Sequence, residues 1–305
     1  MNVLFLDQFS ALGGAQHCLI DLIPAIQERG WSARAAIPRG GQLGSLLRDR
    51  GIRVDDIQSG PYGCGKKSAA DILRFAADVP RQIAKIATLL DQPADLVYVN
   101  GPRLLIAAAL AARGRVPILF HAHHCIEQRG AALLEGLALR HSGATVAAIS
   151  EATARPLRKW VPAERIHTIP NGTADFGFHE RSFEQIRIGI VGRIAPDKGQ
   201  LEFLRAAALL MPLVPHAQFV ICGAPLFGDR AYYDEVLSLA AGLPVEFLDW
   251  QPDVGAVMRD LDILAIPSRQ EGMSRVLIEA FSAGLPVVAF PVGGIPEVID
   301  DRRTG

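Results

Sequence analysis

Cysteine is scarce in this chain of 305 residues, long apolar runs are absent, and neither sign of charge dominates. The four cysteines are widely spaced and form no C-x-x-C pair, which argues against a disulfide framework or a thiolate metal site. The most apolar run, Leu104 to Ala112, is far shorter than the roughly 20 residues of a membrane helix. A formal net charge of −1 argues against general binding to nucleic acid.

The amino terminus, MNVLFLDQ, also lacks the basic residues of a targeting signal. Together with the missing membrane helix, this predicts a cytoplasmic protein. The charges are unevenly distributed: residues 1–175 contain 20 Lys and Arg against 15 Asp and Glu, whereas residues 176–305 contain 11 against 17. The first half is therefore expected to face a phosphorylated acceptor or a lipid surface, with uneven solvated faces as the alternative.

The length favours two domains, and each half begins with the same three elements. NVLFLD and IRIGIV are apolar strands, and each is followed by a glycine turn and a helical pattern. Further strands are predicted at 33–37, 96–99, 118–121 and 146–149, and at 218–222, 245–248, 261–266 and 287–290. Alternation of strands and helices predicts parallel sheets covered on both faces. The predicted fold class is α/β, with two tandem Rossmann-like domains (1–170 and 185–305) facing each other across a cleft and joined by a linker at 171–184.

The segment 66–90 combines helical periodicity with positive charge. Its apolar residues recur at helical spacing from Ile72 to Leu90, and the segment contains five Lys and Arg residues, two before Ile72 and three after it. This pattern fits a basic amphipathic helix that contacts an anionic membrane at the inner face of the membrane. Pro80 is expected to interrupt the helix, and a helix that faces the core with a solvated back is the alternative.

Two carboxylates stand in an apolar stretch, LDILAIPSRQEGMSRVLIEAFSAGLPVVAF. Glu271 is expected on the loop at the carboxyl end of a buried strand, where α/β proteins bind ligands. Glu279 falls in a narrow polar stripe with Arg275 and Ser282 on an otherwise apolar helix, and is expected to open into a cleft. The alternative is a simple Arg275–Glu279 ion pair four residues apart.

Two cations follow the first strand of the second half, in VGRIAPDKG. Arg193 comes after the glycine turn and Lys198 precedes the next helix. A guanidinium, an ammonium and the amides of a helix start suit a diphosphate. The dinucleotide fingerprint G-x-G-x-x-G is absent from both halves, which weakens a dinucleotide interpretation.

Three histidines end another strand, in PILFHAHHCIE. Alternation places His121 and His123 on one face, a spacing that metal sites use, but a second cluster of ligands is missing from the sequence. One functional histidine is therefore favoured over a metal site. The pair Asp260 and Asp262 resembles the metal-binding D-x-D of some sugar transferases, but it lies at the amino end of a strand and is interpreted as structural.

These motifs together resemble those of family 4 retaining glycosyltransferases of the GT-B fold. The resemblance covers the whole chain and includes GGAQH, the histidine after an apolar strand, IPNG, VGRIAPDKG, PSRQEGMSRVLIEAFSAGLPVV and VGGIPEVI. It implies transfer of a hexose-type sugar from a nucleotide-diphosphate donor to a glycan, lipid-linked or small-molecule acceptor, without a metal or other cofactor. Family members continue beyond DDRRTG, so the second domain is expected to be incomplete at its end.

The resemblance also implies a role for each matching residue. The positions that match catalytic residues are His123, Arg193, Lys198 and Glu271. The positions that match donor-binding residues are Gly13, Gly14, Arg193, Lys198, Glu271, Gly272, Met273, Ser274 and Glu279. Arg193 and Lys198 would hold the diphosphate, Glu271 would face the sugar, and Glu279 would bind the ribose hydroxyls. No nucleophile is assigned, because the family has no agreed carboxylate for that step.

Two other functions remain compatible with these residues. A nucleotide-sugar epimerase can share the two-domain fold, and a non-catalytic protein that binds sugar nucleotides or glycans would keep the same donor residues. A metallohydrolase built on His121 and His123 is the weakest interpretation.

Overall fold

The computed structural model of the chain describes residues 1–60, 68–124, 126–178, 185–225 and 230–305. These residues divide into two units, Met1–Pro170 and Asn171–Gly305. The first unit ends where the predicted first domain ends. Residues 171–178 of the predicted linker belong to the second unit, and residues 179–184 lie outside the described residues.

The first unit contains a parallel sheet of seven described strands in the order β3-β2-β1-β4-β5-β6-β7. The strands are β1 (Asn2–Asp7), β2 (Ser32–Ile37), β3 (Arg53–Asp56), β4 (Leu96–Asn100), β5 (Ile118–Ala122), β6 (Thr145–Ala148) and β7 (Ile166–Thr168). The helices are α1 (Gly14–Glu28), α2 (Gln42–Asp49), α3 (Ala69–Leu90), α4 (Leu105–Ala112), α5 (Arg129–Ser142) and α6 (Glu151–Ala154), with 3-10 turns at Pro102–Leu104, Arg155–Lys159 and Ala163–Arg165.

The second unit repeats this plan with five described strands in the order β10-β9-β8-β11-β12. The strands are β8 (Arg187–Val191), β9 (Gln218–Cys222), β10 (Val245–Leu248), β11 (Ile263–Ile266) and β12 (Val287–Ala289). The helices are α7 (Gln200–Leu210), α8 (Arg230–Ala240), α9 (Val254–Asp260) and α10 (Arg275–Ser282), with a 3-10 turn at Ile295–Glu297. The predicted α/β class is confirmed in both units.

Each sheet is buried on both faces because successive residues of its central strands point to opposite sides. In β1, Val3 and Phe5 pack with α1 and α2, whereas Leu4 and Leu6 join the cluster formed with α3, α4 and α5. Parallel strands place all their carboxyl ends at one edge of a sheet. The loops that follow β1, β4 and β5, and those that follow β8 and β11, are therefore neighbours.

Two strands at the edges of the first sheet were not predicted from the sequence. The segments RVDD (β3) and IHT (β7) are short and polar, and neither shows an apolar run. An edge strand has one side without a neighbouring strand, so the hydrogen-bond ladder can form there without an apolar sequence.

The segment α3 combines two surfaces along its length. In its second half Ile86 and Leu89 are buried in the core, as the alternative of a core-facing helix predicts. In its first half Ile72 and Leu73 are exposed, at 61% and 71%. The expectation that Pro80 interrupts the segment is wrong, because one helix continues through it. None of the described helices is long and apolar enough to cross a membrane.

Candidate functional site

Lys198 and Glu271 meet at the carboxyl edge of the second sheet. Lys198 lies on the loop after β8 and Glu271 on the loop after β11, and the two strands are neighbours. The ammonium nitrogen of Lys198 is 2.6 Å from Oε1 of Glu271, which also accepts a hydrogen bond of 2.8 Å from the Ser268 hydroxyl. The side chain of Glu271 is 9% exposed, so its charge is compensated mainly by these two partners.

Arg193 lies on the same loop as Lys198, and an acidic neighbour orients it. Its Nη2 donates to both carboxylate oxygens of Asp197, at 2.8 and 2.9 Å. The amide of Arg269, on the loop after β11, donates to the carbonyl of Asp197 at 2.9 Å. The two loops are thus joined through backbone as well as side chains, and they present two cations at one edge.

Two glycines allow these loops to approach each other. Gly199 has φ +79°, and a Cβ there would lie 2.1 Å from the carbonyl oxygen of Pro267. Gly293 has φ +56°, and a Cβ there would lie 1.6 Å from the carbonyl oxygen of Glu271. Real Cβ atoms do not approach so closely, and L side chains rarely adopt this backbone conformation. Both positions therefore require glycine.

The loop that carries Glu271 continues into α10. Ser274 precedes the first helical residue, and Gly272, Met273 and Ser274 are all buried. The amides at this helix start carry the positive end of the helix dipole. The candidate donor-binding residues of this loop therefore lie beside Lys198 and Arg193 in the second unit.

The polar stripe of α10 is hydrogen-bonded at both ends. Glu279 is 6% exposed and accepts a hydrogen bond of 3.1 Å from Nε of Arg275, which is the ion pair considered as the alternative. The hydroxyl of Ser282 donates to the carbonyl of Ala174 at 2.6 Å and accepts from the amide of Phe176 at 2.9 Å. Residues 174–176 therefore cover the Ser282 end of the stripe.

A buried polar network surrounds His123 in the first unit. Nε2 of His123 is 2.6 Å from Oδ1 of Asn100, at the end of β4. Nδ2 of Asn100 donates to Oδ2 of Asp7, at the end of β1, over 2.6 Å. Nε2 of Gln16, on α1, donates to the same carboxylate at 2.9 and 3.1 Å. Asp7, Asn100 and Gln16 are at most 4% exposed, so three adjacent strand ends hold this histidine.

His121 and His123 lie on one face, as strand alternation predicts. Their ring centroids are 3.9 Å apart, and Nδ1 of His121 is hydrogen-bonded to the hydroxyl of Tyr98. Burial lowers the pKa of His121 to about 4, and burial together with the neighbouring His121 and His124 lowers the pKa of His123 well below its ordinary value. Both rings are therefore neutral at pH 7. Within the described residues, no group of three or more His, Cys, Asp or Glu side chains is placed to hold a metal ion.

Gly13 and Gly14 stand where the loop after β1 enters α1. Gly13 is the residue before the helix, with an extended backbone (φ −142°), and Gly14 is the first helical residue. A Cβ at Gly13 would lie 3.1 Å from Oε1 of Gln16. The absence of a side chain at Gly13 thus leaves room for the network around Asp7.

The D-x-D pair lies at the amino end of β11 and ties it to β8. Oδ2 of Asp262 accepts from the amide of Arg187 at 2.8 Å, and Oδ2 of Asp260 accepts from the guanidinium of Arg187 at 2.8 Å. Both carboxylates are therefore engaged by one residue of the neighbouring strand, at the edge of the sheet opposite to Lys198 and Glu271.

Asp7, Gln16, Tyr98 and Asn100 were not predicted from the sequence as residues of this site. A signal for two of them was present, because NVLFLD and LVYVN are apolar strands that each end in a polar residue at the edge where ligands bind. The signal for Gln16 was weaker, since a helical glutamine usually faces solvent.

The first unit matches the family model "Glycosyl transferase 4-like domain" over residues 13–172, which is more than half of the chain. The chain belongs to this glycosyltransferase family. The second unit matches the family model "Glycosyl transferases group 1" over residues 185–305.

Solved structures with the GT-B fold match almost the whole chain. Alr3699/HepE of Anabaena, crystallised with UDP and glucose, is 26% identical with a TM-score of 0.80, and the match covers 98% of this chain and 83% of that one. Sucrose-phosphate synthase of Thermosynechococcus elongatus has a TM-score of 0.77 at 18% identity, covering 98% of this chain and 84% of its own, and supports the fold alone. The fold is therefore GT-B.

Curated relatives are similar over a part of their own length. The D-inositol 3-phosphate glycosyltransferase of Nocardia farcinica is 30% identical over 292 residues, which is 84% of this chain and 64% of the relative. The protein of the same name from Corynebacterium glutamicum is 37% identical over 126 residues, which is 39% of this chain and 30% of the relative. The chain thus spans less than two thirds of the length of these relatives.

Proposed function

We propose that this protein transfers a hexose-type sugar from a nucleotide-diphosphate sugar to an acceptor, with retention of the anomeric configuration and without a metal. The observation that carries the proposal is the meeting of Lys198 and Glu271, with Arg193 beside them, at the ligand-binding edge of the second sheet. The complex of Anabaena Alr3699/HepE with UDP-glucose supports a uridine nucleotide and a glucose-type sugar as the first donor to test.

The chemistry of the step suits these side chains. When the bond between the sugar and the phosphate breaks, negative charge develops on the leaving diphosphate, and Arg193 and Lys198 would stabilise it in place of a metal ion. An ammonium carries three donors, so Lys198 can keep its bond to Glu271 while it donates to a phosphate oxygen. No nucleophile is assigned to the protein.

The remaining donor contacts follow the loop into α10. Glu271 would accept hydrogen bonds from sugar hydroxyls, and Glu279, oriented by Arg275, would accept them from the ribose. Amides of Gly272, Met273 and Ser274 would add donors beside the sugar and phosphates. In the first unit, His123 would face the sugar, and Gly13 and Gly14 would allow a phosphate or the acceptor to approach the backbone.

A phosphorylated acceptor is favoured by a cavity in the first unit. The cavity has a volume of about 250 Å³, and its polar lining consists of Arg39, Arg48 and Asp56, beside two glycines that precede α2 and one within it. The Ser10 hydroxyl donates to the carbonyl of Arg39 at 3.2 Å, which ties the cavity to the loop that carries Gly13. The names of the curated relatives, which specify inositol 3-phosphate, agree with an acceptor of this kind, and lipid-linked and glycan acceptors are the alternatives.

We also propose a peripheral contact between the first half of α3 and an anionic membrane at its cytoplasmic face. The exposed Ile72 and Leu73 adjoin Arg74, which is also exposed, a combination that suits the headgroup region. Lys66 and Lys67, which the sequence analysis included in this surface, lie outside the described residues. A role in building cell-envelope polysaccharide would follow from a lipid-linked acceptor.

The proposal is tested by measuring donor binding and turnover on the full chain. We expect UDP-glucose to raise the melting temperature of the parent, because a ligand that binds the folded state stabilises it. The variants Arg193→Ala and Lys198→Ala should bind roughly tenfold more weakly or worse, whereas Arg205→Ala, an exposed arginine on α7, should bind as the parent does. Unchanged affinity in both site variants would contradict the proposal.

Turnover separates the transferase from its two rivals. UDP-glucose should be incubated with a panel of acceptors that comprises inositol phosphates, lipid-linked acceptors and glycans. We expect a glycosylated product in which the transferred sugar has the same anomeric configuration as in the donor. Formation of a new sugar-nucleotide epimer without acceptor would favour an epimerase. Tight binding with no transfer to any acceptor would favour a binding protein.

A further inference from the structure

The network around His123 fixes the orientation of one side-chain amide. Nδ2 of Asn100 lies 3.2 Å from the carbonyl oxygen of Ala15 and 2.6 Å from Oδ2 of Asp7. A carbonyl oxygen can only accept a hydrogen bond, so the NH2 group of Asn100 must face Ala15 and Asp7. The amide oxygen of Asn100 is then the atom that faces Nε2 of His123, at 2.6 Å.

This orientation determines which nitrogen of His123 carries the proton. An amide oxygen offers lone pairs alone, so Nε2 of His123 must donate to it and carries the hydrogen. Burial and the neighbouring histidines lower the pKa of His123 well below its ordinary value, and the ring is neutral. A neutral imidazole with its proton on Nε2 has a lone pair on Nδ1.

Asp7 in turn anchors Asn100. Its carboxylate accepts from Asn100, from Gln16 and from the amide of Phe9, the last at 2.8 Å. All three groups are donors, which suits an ionised carboxylate, although burial raises the pKa of Asp7 to about 6. Because Asp7 and Asn100 are at most 1% exposed, the pair cannot exchange its bonds for water without opening the sheet edge.

His121 is held by a separate partner and does not compete for Asn100. Burial raises the pKa of Tyr98 above its ordinary value, so its hydroxyl is neutral and can donate to Nδ1 of His121. The ring of His121 then packs against His123 at a centroid distance of 3.9 Å. The two histidines thus have independent hydrogen-bond partners, which allows their effects to be separated by mutation.

We propose that Asn100 is a positioning residue that holds His123 as the Nε2–H tautomer, so that Nδ1 of His123 accepts a hydrogen bond from a hydroxyl of the sugar substrate. The tautomer follows from the network and from the neutrality of the buried ring, without reference to a substrate. The assignment of the hydroxyl to a sugar rests on the proposed function. His123 touches substrate in this account, and Asn100 and Asp7 act through it.

The tautomer can be measured directly in the full chain labelled with 15N-histidine. Long-range 1H–15N correlation at pH 7.5 distinguishes a nitrogen that carries hydrogen from one that has a lone pair, and a His123→Gln sample identifies the signals of His123. We expect hydrogen on Nε2 and a lone pair on Nδ1 in the parent. In Asn100→Ala the two nitrogen shifts should move toward each other, as in a mixture of tautomers, and Asn100→Ser provides a second test if the alanine variant does not fold.

Tyr98→Phe is the matched control, because it removes a hydrogen bond from the same cluster but leaves Asn100 and His123 in contact. It should move the signals of His121 and leave the tautomer of His123 unchanged. An Nδ1–H tautomer in the parent, or the same pattern in the parent and both Asn100 variants, would overturn the proposal.

Kinetics then tests the substrate hydroxyl. With UDP-glucose and an acceptor, Asn100→Ala should lower kcat by roughly tenfold or more with little change in the donor KM. An unaltered kcat would contradict the role in substrate positioning. If no donor is turned over by the parent, the proposed function fails while the tautomer result stands, so the two failures are distinguishable.

Discussion

The ammonium of Lys198 and the carboxylate of Glu271 are 2.6 Å apart, although 73 residues separate them in the sequence. Their strands, β8 and β11, are neighbours in the second sheet. The pair therefore joins two ligand-binding loops, and it also supplies the nearest opposite charge to a carboxylate that is only 9% exposed.

Removal of both members of this pair should destabilise the protein by less than the sum of the two single removals. Lys198→Met leaves the charge of Glu271 without its cation, and we expect the free energy of unfolding to fall by about 3 kcal/mol. In Lys198→Met/Glu271→Gln the loss should be smaller than the sum of the two single losses, with a coupling energy of about 1–3 kcal/mol. Urea unfolding of the four proteins measures this cycle.

The exposed pair Arg230 and Asp234, 3.2 Å apart on α8, provides a matched cycle. Its coupling energy should be close to zero, because water screens both charges. If the Lys198–Glu271 cycle gave an equally small coupling, the ion pair would not hold these loops together.

Gly293 should be intolerant of any side chain because it lies against the backbone of Glu271. Gly293→Ala should lower the free energy of unfolding well beyond Gly242→Ala, which has a similar φ of +84° but no atom within 4 Å of the added Cβ. We expect about 1 kcal/mol for Gly242→Ala from backbone strain, and roughly 2 kcal/mol more for Gly293→Ala from the added clash. Similar losses in the two variants would show that the loop yields without cost.

The central strands and the loops of the second unit could be predicted from the sequence, because apolar runs, glycine turns and charged residues mark them locally. β9 and β10 have the predicted bounds, and Lys198 and Glu271 were placed at the correct edge of the sheet. The pairing of Lys198 with Glu271 was not predictable, because it depends on which strands are neighbours. The same holds for Asp7 and Asn100, whose contact joins residues 93 apart.

Local pattern did not settle the structure at two positions. The proline in α3 was expected to interrupt the helix, but helix packing against the core outweighs one missing backbone bond. Ser282 was assigned to a narrow polar stripe, and the sequence did not show that it binds the backbone of residues 174 and 176. A helical wheel shows which side chains share a face, but it does not show which distant segment covers that face.

Glu135 should make stability depend on pH near neutrality. Burial on α5 raises the pKa of this carboxyl from its ordinary value of 4.5 to about 7. The folded state therefore binds a proton that the unfolded chain has already released, and stability falls as the pH rises from about 4.5 to 7. Glu135→Gln should remove this dependence and raise the free energy of unfolding at pH 8 by up to about 3 kcal/mol.

Urea unfolding at pH 5, 6, 7 and 8 measures the effect, with the exposed Glu164→Gln as the control. The control should follow the parent at each pH. A Glu135→Gln variant whose stability runs parallel to that of the parent would show that the carboxyl is solvated in the folded state.

Asp262 should act in folding and not in metal binding. Its carboxylate is 7% exposed and accepts from the amide of Arg187, so Asp262→Ala leaves a backbone donor of β8 without its acceptor. We expect the free energy of unfolding to fall by about 1–2 kcal/mol, with no change in the affinity for UDP-glucose at a temperature where the variant is folded.

Asp301→Ala, at an exposed acidic residue near the end of the chain, should change neither quantity. If Asp260 and Asp262 instead held a metal, added Mn²⁺ would tighten donor binding in the parent and in Asp301→Ala, and this effect would be lost in Asp262→Ala.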